Sequence, residues 1–282
     1  AAESAAAGAM AAAHKLALHL VATRSLPALQ RVASSDGACS ASEQVWDGAS
    51  DLCSMCCVGW SLCGWLSTPG LSATSAAQFA QGYDDRQMVN ELWRASLLVV
   101  AEGFCRHGHV CCLISLCDIL SPNVDDISGI VAGLSDARAT AALAATLNVA
   151  SSLVGAGGSE AAQDCLLPAL RLAGVLLRLT PAWLCASTAA LDALWSLAVA
   201  PFGPDGATDA ECRDAAFALL AGLFLAAQDE TQGRLKAALQ PRVELLVFAM
   251  VSTMTHAAPT SAVEPASHLL HSVMLVFPTE WS

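Results

Sequence analysis

The chain has 282 residues, 55% of them apolar and only 13% charged, and carries a formal net charge of −12 with a mean hydropathy of +0.53. Such a length admits one large domain or two ordinary ones. The acidic balance disfavours nonspecific nucleic-acid binding and suits a basic protein partner, because like charge repels phosphate and opposite charge steers association.

The apolar runs are short for a membrane helix, which needs about 20 mostly apolar residues. AAFALLAGLFLAAQ at 215–228 stops at fourteen, and Arg178 and Asp192 interrupt LLRLTPAWLCASTAALDALW. One longer uncharged run, ATAALAATLNVASSLVGAGGS at 139–159, is Ala-rich and contains Asn148. No membrane contact is therefore expected, with a multi-pass helical bundle as the alternative.

The chain opens AAESAAAGAMAAAHKLALHL, without Met and without the basic start and small-residue cleavage site of a secretory signal. It reads as an internal piece of a longer chain. Good helix formers, Ala and Leu above all, fill nearly everything between breakers, and β-type alternation is almost absent. Helices are expected at roughly 3–23, 25–34, 42–66, 84–106, 109–120 and 123–133. The Ser, Thr and Gly stretch at 67–83 reads as a loop or linker between N-terminal helices at 1–66 and a helical-hairpin stack at 84–282.

Helix starts are better marked in the second half. Ser135-Asp136 and Ser159 open two helices, Thr180-Pro181 supplies an N-cap followed by proline, and Thr208–Glu211 and Ser261–Glu264 have the capping-box pattern. Stops fall at GAGGS (155–159), at PFGPDG (201–206) and at Pro259. Two helices thus recur every ~45 to 50 residues, near the HEAT and armadillo period. Cys212, Ala215, Ala216, Leu219, Leu220 and Leu223 form one apolar stripe. Leu166, Ala169, Leu170, Ala173 and Leu177 form another. Opposite the first lie Ala218, Ala221 and Gly222, small enough to admit a neighbouring helix. The expected fold class is all-α, a right-handed α-solenoid of HEAT/armadillo-like helical hairpins that form one continuous stack.

Two cysteine clusters raise the question of metal or thiol chemistry. In DLCSMCCVGWSLCGWL, Cys53, Cys56, Cys57, Trp60 and Cys63 fall on one helix face among Leu52, Met55 and Val58, where Cys acts as a small hydrophobe. A helix stripe cannot supply four tetrahedral ligands, and no βαβ context makes the CxxC at 53–56 a redox motif. In FCRHGHVCCLISLC, Cys105, His107, His109, Cys111 and Cys112 surround Gly108, a spacing that matches no familiar zinc pattern. The sharpest metal reading pairs Cys53 or Cys56 with His107 or His109 across a hairpin. Packing is preferred for both clusters, so no metal and no cofactor is expected, a zinc- or thiol-dependent helical protein being the alternative. Clustered, adjacent cysteines in a chain this long suit a cytosolic, reduced compartment.

No Walker loop, dinucleotide fingerprint, GxSxG elbow or HExxH occurs, and no catalytic residue is assigned. The acidic pairs Asp84-Asp85 and Asp125-Asp126 lack the third carboxylate of a magnesium motif. With Asp136 they are read as exposed charges on helix starts and loops, the candidate contacts for a basic partner. Trp93, Trp183 and Trp195 lie in apolar segments and are expected in the core.

From about residue 164 onward, DCLLPALRLAGVLLRLTPAWLCASTAALDALWSLAV ends one helix in a Thr-Pro turn before a second apolar helix. LKAALQPRVELLVFAMVSTMTHAAPTSAVEPASHLLHSVMLVFPTEW then places a long helix, a Pro-bearing loop and a helix closing before Pro and Trp. This order resembles the C-terminal HEAT repeats of the importin-β superfamily, most of all its SR-protein import-receptor (transportin-SR) branch. The resemblance implies a non-enzymatic nuclear transport receptor, shared between cytoplasm and nucleus, that wraps protein cargo and releases it to the GTPase Ran. Ran would bind an N-terminal region that is not recognisable in this chain, and no functional residue carries over.

Overall fold

The computed structural model describes residues 16, 19–20, 23–24, 26–34, 73–121, 134–157, 160–180, 187–202, 209–229, 233–256 and 260–278. All regular structure among these residues is helical, as the composition requires. Two compact units divide between Leu143 and Ala144.

In the first unit α1 (Leu26–Ser34) packs on the long α2 (Ala73–His107), and α2 packs on α3 (Val110–Leu120). Helix α2 begins at Ala73, so residues 73–83, expected as loop or linker, are helical. The run ATSAAQFAQ is rich in Ala and Gln, whose low helical cost outweighs the Ser and Thr that suggested a loop. Gly108 ends the helix in the left-handed region at φ 70, its N–H donating to the Phe104 carbonyl at 2.8 Å. A left-handed glycine is the common way to close a helix and turn the chain back. The hairpin so formed buries Trp93, Leu97, Phe104, Leu113 and Leu116 completely. The Trp93 indole N–H donates to the Ile119 carbonyl at 3.4 Å, which satisfies the single polar atom of a ring placed in the core. The expected helices at 42–66 and 123–133 lie outside the described residues.

Helix α4 (Ala137–Gly155) runs across the division between the units and ends at the predicted glycine stop, Gly157 taking φ 63. The second unit holds α5 (Glu160–Leu179), α6 (Thr188–Val199), α7 (Ala210–Asp229), α8 (Arg234–His256) and α9 (Thr260–Val276). A short 3-10 turn, Ala200–Phe202, follows α6. Alternate helix starts among the described helices from α4 onward, 137 to 188, 160 to 210, 188 to 234 and 210 to 260, are 51, 50, 46 and 50 residues apart, at or near the expected period.

Local starts differ from expectation in instructive ways. Thr180 closes α5: its N–H and its hydroxyl both donate to the Leu176 carbonyl, at 2.9 and 3.0 Å. The helix start expected at Thr180-Pro181 falls on residues 181–186, outside the described residues, and α6 opens at Ser187, whose hydroxyl accepts the Ala190 N–H at 3.3 Å. At α7 the cap is Asp209, one residue beyond the expected Thr208, with its carboxylate accepting the Glu211 N–H at 3.2 Å. Ser, Thr and Asp compete for such positions, so which of several neighbours caps a helix depends on the entry angle of the chain.

Packing in the second unit centres on α7. Its broadest partners are α5 on one side and α9 on another, while α6 and α8 lie against the same set from a second layer. Both predicted stripes are in the core: Leu166, Ala169, Leu170, Ala173 and Leu177 of α5 are buried, as are Cys212, Ala216, Leu219, Leu220 and Leu223 of α7. Ala215 is half-buried. Gly222 also behaves as expected, since a Cβ there would stand 3.0 Å from the Leu177 Cδ2 atom. Ala218, by contrast, is exposed.

Aromatic residues not included in the stripes lock the α7–α9 contact. Phe224 and Phe277 meet edge to face with ring centroids 6.4 Å apart, and the Lys236 ammonium sits 5.3 Å from the Phe277 centroid. Phe217 packs on Phe202 of the 3-10 turn at 5.0 Å. Among the described residues no helix is long and apolar enough to cross a membrane.

Two stability outcomes follow. Phe224→Ala removes a fully buried ring and is expected to cost about 3–5 kcal/mol in denaturant unfolding; a double-mutant cycle with Phe277→Ala should return a coupling of about 0.5–1.5 kcal/mol. Gly222→Val should destabilise by about 1–3 kcal/mol through overpacking on Leu177. Gly222→Ala should come out near neutral, because its gain in helix propensity, about 1 kcal/mol, offsets a tight contact with a flexible side chain.

Candidate functional site

The turn between α2 and α3 gathers the second cysteine and histidine cluster. His109 is the N-cap of α3 at φ −70 and ψ 122, and its side chain makes no capping hydrogen bond. Its ring lies 6.0 Å from that of His107, centroid to centroid, and its Nε2 is buried without a hydrogen-bond partner among the described residues. Cys105, Cys111 and Cys117 are half-buried and Cys112 is fully buried, and these four form no disulfide. Nowhere among the described residues do three His, Cys, Asp or Glu side chains come together as a metal would require. Cys53 and Cys56, the other half of the shared-site reading, lie outside the described residues.

The buried thiols are poor nucleophiles. Burial pushes the Cys112 thiol far above the usual thiol range, and the neighbouring Cys111 adds to the effect. Burial likewise pushes Cys165 up to about 11. Cys212 is pushed up to about 11, first by burial and then by the negative charge and hydrogen bond of Asp209. Thiolate, not thiol, attacks electrophiles and binds metals. These three side chains therefore act as small apolar packing groups.

Of the five acidic residues read as partner contacts, Asp136 is the one whose side chain the structure describes. One carboxylate oxygen accepts the N–H groups of Arg138 and Ala139, at 2.9 and 3.2 Å, capping α4. The other accepts the Arg94 guanidinium of α2 at 3.1 Å. Hydrogen bonds from Ala139 and Arg138, followed by the charge and hydrogen bond of Arg94, hold its carboxyl below the ordinary aspartate value. Both oxygens are thus engaged within the chain, and the residue ties α2 to the start of α4. Asp84 and Asp85 were expected at a helix start; α2 begins at Ala73, which places them in its interior. Asp125 and Asp126 lie outside the described residues.

A surface that the charge-based reading missed lies on α8. Leu235, Leu239, Val243, Leu246 and Met250 form its buried stripe. On other sides of the same helix Leu245 is 74% exposed, Phe248 75% and Val251 44%. Glu244, also exposed, stands beside them. Arg242, the basic residue nearest the stripe, reaches across to Asp192 of α6 in an ion pair and also donates to the Ala238 carbonyl, so its charge is already matched. The signal was present in the sequence: VELLVFAMV carries apolar residues at every turn position, more than one core-facing stripe can use. Scattered single apolar residues on a surface need no explanation, but two large side chains one turn apart, each about three-quarters exposed, make a local hydrophobic contact point. Comparison with known protein families, characterised proteins and solved structures finds no match to this chain.

The Asp136 geometry sets a pH dependence. A folded pKa below the unfolded one means that its stabilisation is present in full above about pH 4 and lost as pH falls through the lower folded value. Thermal unfolding of Asp136→Ala should therefore show a lowered Tm at pH 7 and a gap from the native chain that closes in acid. Asp136→Asn, which keeps a good cap, should recover part of the loss at pH 7. A gap of constant size across the acid range would be incompatible with this role.

For the thiols, peptide mapping after brief iodoacetamide treatment at pH 8 should find Cys165 and Cys212 essentially unmodified, since a pKa near 11 leaves roughly one thiolate in a thousand. Both should label readily once the chain is unfolded.

Proposed function

We propose that the chain is a non-enzymatic protein-interaction scaffold, a right-handed α-solenoid of HEAT/armadillo-like hairpins that belongs to a nuclear transport receptor and carries basic protein cargo between cytoplasm and nucleus. The observation that carries the scaffold reading is the layered packing of α5, α7 and α9, in which each helix contacts the next but one along the chain. Repeat stacks build binding surfaces in this way, one helical hairpin at a time, and need no catalytic centre to do so. The outward stripe of Leu245, Phe248 and Val251 supplies the apolar part of a contact. The net charge of −12 supplies attraction for a basic partner. The transport reading rests on the likeness of residues 164 onward to importin-β-type repeats.

Two binding assays test the two levels separately. Fluorescence anisotropy with an arginine-rich cargo peptide should show salt-sensitive binding, and Leu245→Ser with Phe248→Ser, which removes the apolar surface without adding charge, should weaken it at least ~10-fold if the stripe is a hot spot. Those substitutions sit on exposed positions, so Tm should move little. Unchanged affinity in the double variant would remove the stripe from the contact. Pull-down of the full-length parent with Ran locked in its GTP form tests the receptor assignment, and failure there would leave a scaffold without a transport role.

A further inference from the structure

We draw no further inference here: the strongest candidate, the outward apolar stripe of Leu245, Phe248 and Val251 on α8, belongs to the surface already described, and nothing in the structure shows what covers it.

Discussion

Helix α7 has apolar or small residues around most of its circumference, and such a helix is stable in water only when neighbours cover it on several sides. That requirement organises the second unit. Leu219, Leu220, Leu223 and Phe224 are essentially inaccessible to solvent, and full burial of side chains of this size is worth about 1.5–3 kcal/mol each. Helix α5 closes one side, where Gly222 lets Leu177 come close. Helix α9 closes another, through the Phe224–Phe277 contact. By comparison the ion pairs are secondary. Arg171 with Glu211 joins side chains that are 60% and 68% exposed, and exposed pairs typically contribute about 0–1 kcal/mol.

The same constraint bears on function. A helix used for cohesion on most of its surface has little left to offer a ligand, so the proposed contact is sought on helices that are covered on fewer sides. Helix α8 is such an element. It buries a regular stripe against α7 and α9 and still turns Leu245 and Phe248 outward. The cysteines follow the opposite logic. Cys112, Cys165 and Cys212 sit where a small apolar group fits, and the burial that makes them good packing residues also keeps them protonated.

Much of the architecture was legible beforehand. The α5 and α7 stripes, the glycine stop after α4, the burial of Trp93 and the alternation of helix starts all follow from periodicity and breaker chemistry, which are local properties. What was misread depended on competition. Residues 73–83 carry both loop-forming and helix-forming side chains, and the helix wins there. For Asp136 the charge count was incomplete: it treats each carboxylate as free, whereas this one caps α4 and pairs with Arg94.

Sequence by itself determined that this chain is helical, where most of the second-unit helices begin and end, and which stripes are buried, because propensity, capping and the 3.6-residue period act over one or two turns. Tertiary structure decided which helix covers which, and therefore that Phe224 meets Phe277, that Asp136 binds Arg94 forty-two residues away, and that Phe248 is left outside. Those outcomes depend on groups distant in the chain arriving at the same place. No local pattern encodes that meeting, and which apolar side chains of α8 stay outside is decided only when its neighbours have packed against the rest.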